Sequence, residues 1–237
     1  LSEIKVSTGR IQKFLFLDED HDENPETNLG DYRIVAREVT AKWDPLLDVG
    51  LSDINFELRR GELVALVGAI GSGKSSLIYT ILKELPISSG TLSSEGLISY
   101  APQTPWVVPG TIRDNITFGE RFDNQKYLKV LRMCALEHDI SRLPHGDNTL
   151  VGERGTSLSG GQKARVSLAR AVYKDADIYL LDDPLAAVDA SVAQTIFTHC
   201  FLNHLKNKSI ILVTHQLKFL KNVDRIYVLE DGKIKDC

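Results

Sequence analysis

Apolar positions along this chain fall into short unbroken runs. Residues 63–67 are apolar throughout and meet Gly68 directly; 178–181 and 210–213 are built the same way. Runs of that length, rich in aliphatic and β-branched residues, predict strands covered on both faces, as in a parallel sheet. Residues 34–43 and 51–58 also predict strands, and the polar stretch 59–62 turns the chain between 51–58 and the run at 63. Residues 75–85 read as a helix. Residues 225–234 predict a terminal hairpin, with Asp231 and Gly232 at its turn, because an Asp-Gly pair tolerates the left-handed backbone such a turn needs. From about 111 to 162 the pattern turns helical, most clearly over 126–136, and a further helical pattern spans 163–172. Strands before and after a helical insertion predict an α/β fold, and no internal repeat is visible.

Residues 1–31 read as a linker. A weakly amphipathic stretch from Thr8 to Asp18, with Ile11, Phe14 and Leu15, runs into an acidic segment from Asp18 to Asn24 that reads as a solvated charge run. With 237 residues, 43% of them hydrophobic and 25% charged, the chain is of ordinary globular composition and long enough for a core of its own. A net charge of -4 argues against a nucleic-acid partner, which calls for a basic face. Cys134, Cys200 and Cys237 are odd in number and widely spaced; that is neither a disulfide framework nor a zinc pattern, and a reducing, cytosolic setting is expected. No apolar run approaches the roughly 18 residues that cross a bilayer. The chain opens at Leu1 and its only methionine is Met133, so it is expected to be a piece of a longer protein.

The sharpest chemistry lies at Gly68–Ser75, a Gly-x-x-x-x-Gly-Lys-Ser loop between a strand and a helix. Backbone N–H groups there converge on phosphate oxygens, and the helix start favours negative charge. Gly68, Gly71 and Gly73 let the backbone curl close. Ala69, Ile70, Ser72 and Ser76 complete the cradle, Lys74 reaches the β- and γ-phosphates, and Ser75 ligates magnesium. Asp182, at the end of the run 178–181, suits a residue that holds magnesium through water, and Asp183 a general base on the attacking water. The same pair before Pro184 also suits a helix start. Ser159, Gly160, Gly161 and Gln162 open the helix at 163 and make a second anion-binding surface, or an ordinary glycine-containing cap.

The order of these motifs resembles the nucleotide-binding domain of ABC transporters, over about residue 32 to the end. The resemblance implies a phosphate-loop NTPase core with a mainly parallel sheet, an antiparallel β-subdomain and an inserted helical subdomain at about 111–165. ATP and Mg2+ are the implied ligands. Gly68–Ser75 looks like Walker A, Ile178–Asp182 like Walker B and Leu158–Gln162 like the signature sequence. By resemblance Gln103 is a magnesium ligand that senses the membrane domain. His215 contacts the γ-phosphate, and Trp43 stacks on adenine, although a strand-end aromatic can simply pack. Ala186–Asp189 resembles the D-loop, and Val151–Gly155 the stretch that touches coupling helices of transmembrane domains.

Asp183 stands where active family members usually carry Glu; Ala186 replaces a usual Ser; and the span from Lys74 to Gln103 is short. With these departures the chain resembles the first nucleotide-binding domain of a multidrug-resistance-associated exporter of the C subfamily. The resemblance implies a head-to-tail pair with a second such domain of the same polypeptide, at the cytoplasmic face of a membrane. It implies slow hydrolysis at this chain's own loop, with Ser159–Gln162 completing the partner's site, and a monomer when isolated. A nucleotide sensor in a channel or channel regulator is the alternative. The stretch from Gly9 to Leu15 resembles the segment after the last membrane helix of such exporters. A soluble member of the family would bring tandem domains or basic surfaces, and neither is visible.

Overall fold

The computed structural model describes residues 2–16, 29–44, 50–152 and 157–237; the acidic run from Asp18 to Asn24 and residues 153–155 of the coupling-helix stretch lie outside them. Where a linker is expected, helix α1 (Ser2–Leu15) forms, with Val6, Ile11, Phe14 and Leu15 exposed. Then come β1 (Tyr32–Lys42), β2 (Gly50–Arg59), β3 (Leu63–Gly68), α2 (Lys74–Ile81) and β4 (Ile87–Ser94). β1 pairs antiparallel with β2 on one side and β4 on the other, which forms a three-stranded sheet. Helix α2 is shorter than the 75–85 expected, because Lys83 turns left-handed (φ 64°) and Pro86 disfavours a helical residue before it.

The middle of the chain holds β5 (Ile98–Ala101), β6 (Gly110–Thr111), and the helices α3 (Ile112–Thr117), α4 (Asn124–Met133) and α5 (Glu137–Ser141). A short β7 (Leu150–Val151) pairs back antiparallel onto β6, and α6 (Gly160–Tyr173) follows. The expected helices at 126–136 and 163–172 are α4 and α6. α4 starts two residues earlier because Asp123 caps it, its side chain accepting from the Lys126 N–H, and it ends before the left-handed Ala135. The last part comprises β8 (Ile178–Asp182), α7 (Ala190–Ile196) continued by a π-helix (Phe197–His204), β9 (Ser209–Val213), a 3-10 turn (Leu217–Asn222), β10 (Arg225–Glu230) and β11 (Lys233–Asp236). The hairpin of β10 and β11 turns at Asp231 and Gly232, both at positive φ, as the Asp-Gly pair predicts.

The large sheet runs β11-β10-β3-β9-β8-β5, parallel throughout except for β11. Alternate side chains of its central strands face opposite cores. Tyr179, Leu181, Ile210 and Leu212 join the cluster built with α4, α6 and the π-helix, while Ile178, Leu180, Ile211 and Val213 join Val64, Leu66 and the β1–β2 side. That two-sided burial is why these runs read as unbroken apolar segments, and each fully buried aliphatic side chain contributes roughly 1.5–3 kcal/mol. The order β3-β9-β8-β5 also sets four strand ends side by side. The loops leaving those carboxyl ends are where a parallel α/β sheet binds its ligand.

Candidate functional site

The loop leaving β3 is shaped by backbone crowding. A methyl group on Gly68 would strike the Leu229 carbonyl oxygen of β10. Gly73 caps α2 at φ 102°, a left-handed position where a side chain is strained, and a methyl group there would crowd the Leu51 side chain. No side chain caps α2 and no acidic residue lies in its first turn. Its first N–H groups and the positive end of its dipole are therefore left for an anion. The Lys74 ammonium, 7% exposed, folds back over the loop and donates to the carbonyl oxygens of Gly68 (3.0 Å) and Ala69 (2.6 Å) and to Ser72 Oγ (3.3 Å). Burial holds it below the ordinary lysine value, and the nearby Asp182 and Asp183 pull the other way.

Ser75 Oγ, on the first turn of α2, donates to Asp182 Oδ2 at 2.8 Å. Asp182 ends β8 and is 2% exposed. Burial pushes its carboxyl above the usual carboxylate range; the Ser75 hydrogen bond lowers it, Asp183 raises it, and Lys74 and His215 lower it. A hydroxyl and a buried carboxylate in contact are hard oxygen donors of the kind Mg2+ takes when phosphates and waters supply its remaining ligands. Among the described residues no group of three or more His, Cys, Asp or Glu side chains could cage a metal alone. The residues present fit magnesium.

These groups open on one cavity of about 310 Å3, the size of a small-molecule site. Its lining joins Ile70, Gly71, Gly73, Lys74, Ser75 and Ser76 to Gln103, Asp182, Val213 and His215. Gln103 arrives from the loop after β5, Asp182 from β8 and His215 from the loop after β9, so the strand order delivers residues far apart in sequence to the loop of β3. Trp43, 53% exposed, stands beside this cavity: its Nε1 donates to Ser76 Oγ at 3.1 Å and its ring meets Tyr79 edge-on, with centroids 5.6 Å apart.

Asp183 is placed differently from its neighbour. It is 8% exposed, sits at φ 47°, and its N–H donates to the Val213 carbonyl at 3.0 Å. It does not line the phosphate cavity; it lines a smaller one that shares Gln103 with it. Burial pushes the Asp183 carboxyl up, while His215 and Lys74 pull it down.

Ser159–Gln162 are likewise off the phosphate cavity. Ser159 caps α6 through a reciprocal box: its Oγ accepts from the Gln162 N–H at 3.2 Å and Gln162 Oε1 accepts from the Ser159 N–H at 2.9 Å. Gln162 Nε2 donates to Asp139 Oδ1, and Arg165 grips Asp139 Oδ2 at 2.6 Å. Gly161 packs so that a methyl group there would lie 2.9 Å from the Ala187 carbonyl oxygen. Of the two readings, the structure shows the helix cap. Sequence reading missed two things here. β5, which delivers Gln103, is too short at four residues to stand out. Asp139 carries no local signal, although Gln162 and Arg165, three apart on one helix, share a face.

A family profile described as ABC transporter matches residues 51–186. The chain is 54% identical over 213 residues to the Probable multidrug resistance-associated protein lethal(2)03659 of Drosophila melanogaster, covering 90% of this chain and 16% of that protein. It is 50% identical over 236 residues to ATP-binding cassette sub-family C member 4 of Homo sapiens, covering 99% of this chain and 18% of that protein. With ABC transporter C family member 3 of Dictyostelium discoideum it shares 43% over 241 residues, again 99% of this chain and 17% of the other. The chain thus spans less than a fifth of the length of these curated relatives.

Proposed function

Because the chain belongs to the ABC transporter family, with C-subfamily multidrug-resistance-associated proteins as its relatives, we propose that it is the first of two ATP-binding motor domains of such an exporter. It binds Mg-ATP at Gly68–Ser76, pairs head to tail with a second nucleotide-binding domain, and lends Ser159–Gln162 to the partner's nucleotide. Its share is binding more than cleavage. One observation carries this reading: the phosphate loop, Asp182, Gln103 and His215 line a single cavity that neither Asp183 nor Ser159–Gln162 enters.

The chemistry follows from the groups in place. Lys74 exchanges its carbonyl partners for phosphate oxygens, a charge-assisted trade in a buried setting. Magnesium, when bound with the nucleotide, would supply Lewis-acid chemistry and charge neutralisation. Ser75, Asp182 and Gln103 would hold it. His215 stands over the same cavity as a donor to the γ-phosphate. Trp43, half-exposed beside Ser76, offers a ring face to a purine. The general base is the weak member. An aspartate is shorter than the family's usual glutamate by one carbon–carbon bond, about 1.5 Å of reach, and Asp183 lines a cavity other than that of the phosphate loop. ATP then acts chiefly as the bond between two domains, whose closure moves the coupling helices of the transmembrane part.

The test is ATP binding and turnover by this chain alone. Tight Mg-ATP binding with hydrolysis far below one per second supports the reading; turnover of many per second refutes the weak site.

A further inference from the structure

Ser167 lies two turns into α6, the helix that begins at the Ser159 cap. It is 4% exposed, and its Oγ has no hydrogen-bond partner among the described residues. A buried serine in a helix normally turns back onto the carbonyl one turn earlier. The hydroxyls of Thr80, Thr117 and Thr195 do this, onto Ser76, Arg113 and Ser191. Ser167 does not. It lines instead the small cavity of about 30 Å3 that Asp183 and Gln103 also line. The Asp183 carboxylate, in a residue 8% exposed, is acted on by the charges of His215 and Lys74. The rest of that lining, with Ala164, Pro102 and Ala187 among it, is mostly apolar side chains. A buried hydroxyl without a partner and a mostly buried carboxylate therefore line one small cavity in largely apolar surroundings, and leaving the hydroxyl unsatisfied is costly.

The cavity is roomy enough to admit an ordered water, and two to four polar partners are what a buried water requires. We propose that this cavity binds a single structural water that bridges the Ser167 hydroxyl and the Asp183 carboxylate, with the Gln103 amide as its third neighbour, and that Ser167 is thereby the positioning residue for Asp183. The hydroxyl and the water donate along one line toward the carboxylate. They hold it in the left-handed turn after β8 and tie its orientation to α6. The helix that starts at the signature serine is in this way joined, through one water, to the carboxylate of the chain's own site. The water site rests on geometry alone; the role given to Asp183 rests on the function proposed above.

The test begins with a crystal structure of this chain fine enough to place ordered waters. One water within about 2.6–3.2 Å of both Ser167 Oγ and an Asp183 carboxylate oxygen is the expected result. In Ser167→Ala the water is lost, the Asp183 carboxylate turns, and the unfolding midpoint falls by about 2–4 °C, as expected when a satisfied buried group loses its partner. In the full-length transporter, single-turnover hydrolysis at this chain's loop falls on the order of 10-fold in Ser167→Ala with KM for ATP unchanged, and Ser167→Thr, which keeps the hydroxyl, restores it. A dry cavity, a Gln103 amide filling it, or a higher midpoint in Ser167→Ala overturns the inference. Calorimetric titration of the same chain with ATP separates the two readings: ATP bound over a dry cavity refutes only the water, and a bridging water in a chain that does not bind ATP refutes only the proposed function.

Discussion

Ser75 Oγ donates a 2.8 Å hydrogen bond to Asp182 Oδ2 across 107 positions of sequence. The bond joins the first turn of α2 to the last residue of β8, and it brings together two of the three residues, with Gln103, that are proposed to hold magnesium. Asp182→Asn keeps an acceptor for Ser75 and removes the charge. Its Mg-ATP affinity is expected to fall roughly 10- to 100-fold, while affinity for ATP without magnesium changes little. Isothermal titration calorimetry with and without magnesium measures both, and equal losses in the two would refute the assignment.

Lys74 spends its donors on the carbonyl oxygens of Gly68 and Ala69 and on Ser72 Oγ. Lys74→Ala removes a charged donor from the phosphate cradle, and affinity for ATP is expected to drop about 10- to 100-fold, the cost of one or two charge-assisted hydrogen bonds. Unchanged affinity in fluorescence titration would sink the phosphate-loop reading.

Asp183→Glu restores the missing methylene. In the paired domains the rate at this chain's site is expected to rise, by as much as about 100-fold if the shorter reach is the whole defect. Glutamate at φ 47° carries more backbone strain than aspartate, so part of the gain is lost. No increase with ATP binding intact would count against geometry as the cause.

The Ser159 cap separates a structural from a partner role. Ser159→Ala breaks the capping box of α6, worth about 1 kcal/mol, and the unfolding midpoint is expected to fall by about 2–4 °C. Hydrolysis by the paired domains is expected to fall as well, while ATP affinity at Lys74 stays within about twofold, since Ser159 is off that cavity. Loss of affinity at Lys74 itself would contradict the head-to-tail assignment.

Asp114 supplies a pH test of α3. Its carboxylate closes a capping box with Thr111: the Thr111 hydroxyl first and the Thr111 N–H second hold its pKa below the usual carboxylate value. A depressed folded-state pKa means that the stabilisation is present above the unfolded value and is lost as pH falls through the folded one. The midpoint difference between the wild type and Asp114→Ala should therefore be full at neutral pH and should close below about pH 4. Calorimetric scans across that range decide it; a difference that persists in acid means the cap does not depend on the charge.

Much of this was legible locally. The loop Gly68–Ser75 is contiguous, and strand, turn and helix N-terminus are fixed by neighbours in sequence. The Asp231–Gly232 turn and the runs of β3, β8 and β9 were readable for the same reason, since turn chemistry and two-sided burial leave their mark in residue type. The helix start at Ser159 was legible as a glycine-containing cap, although its reciprocal bond with Gln162 came only with the structure.

What lay beyond the sequence is which strand ends meet. β5 is short and unremarkable, yet it pairs with β8 and so delivers Gln103 beside Asp182. Backbone hydrogen bonds between strands are much the same whatever the side chains, so the order β3-β9-β8-β5 is settled by packing of both sheet faces at once. The divergence of Asp182 and Asp183 is of the same kind. They are adjacent and chemically identical in the chain. A left-handed backbone at Asp183, fixed by its N–H bond to Val213, sends one to the phosphate cavity and the other to the pocket of Ser167. Local chemistry was enough to point to a phosphate-type loop at Gly68–Ser75 and to give Asp182, at the end of an apolar run, the magnesium side, because neighbours in sequence fix both. That Asp182 and Asp183 line different cavities follows from the order of the strands and the turn after β8, which only packing sets.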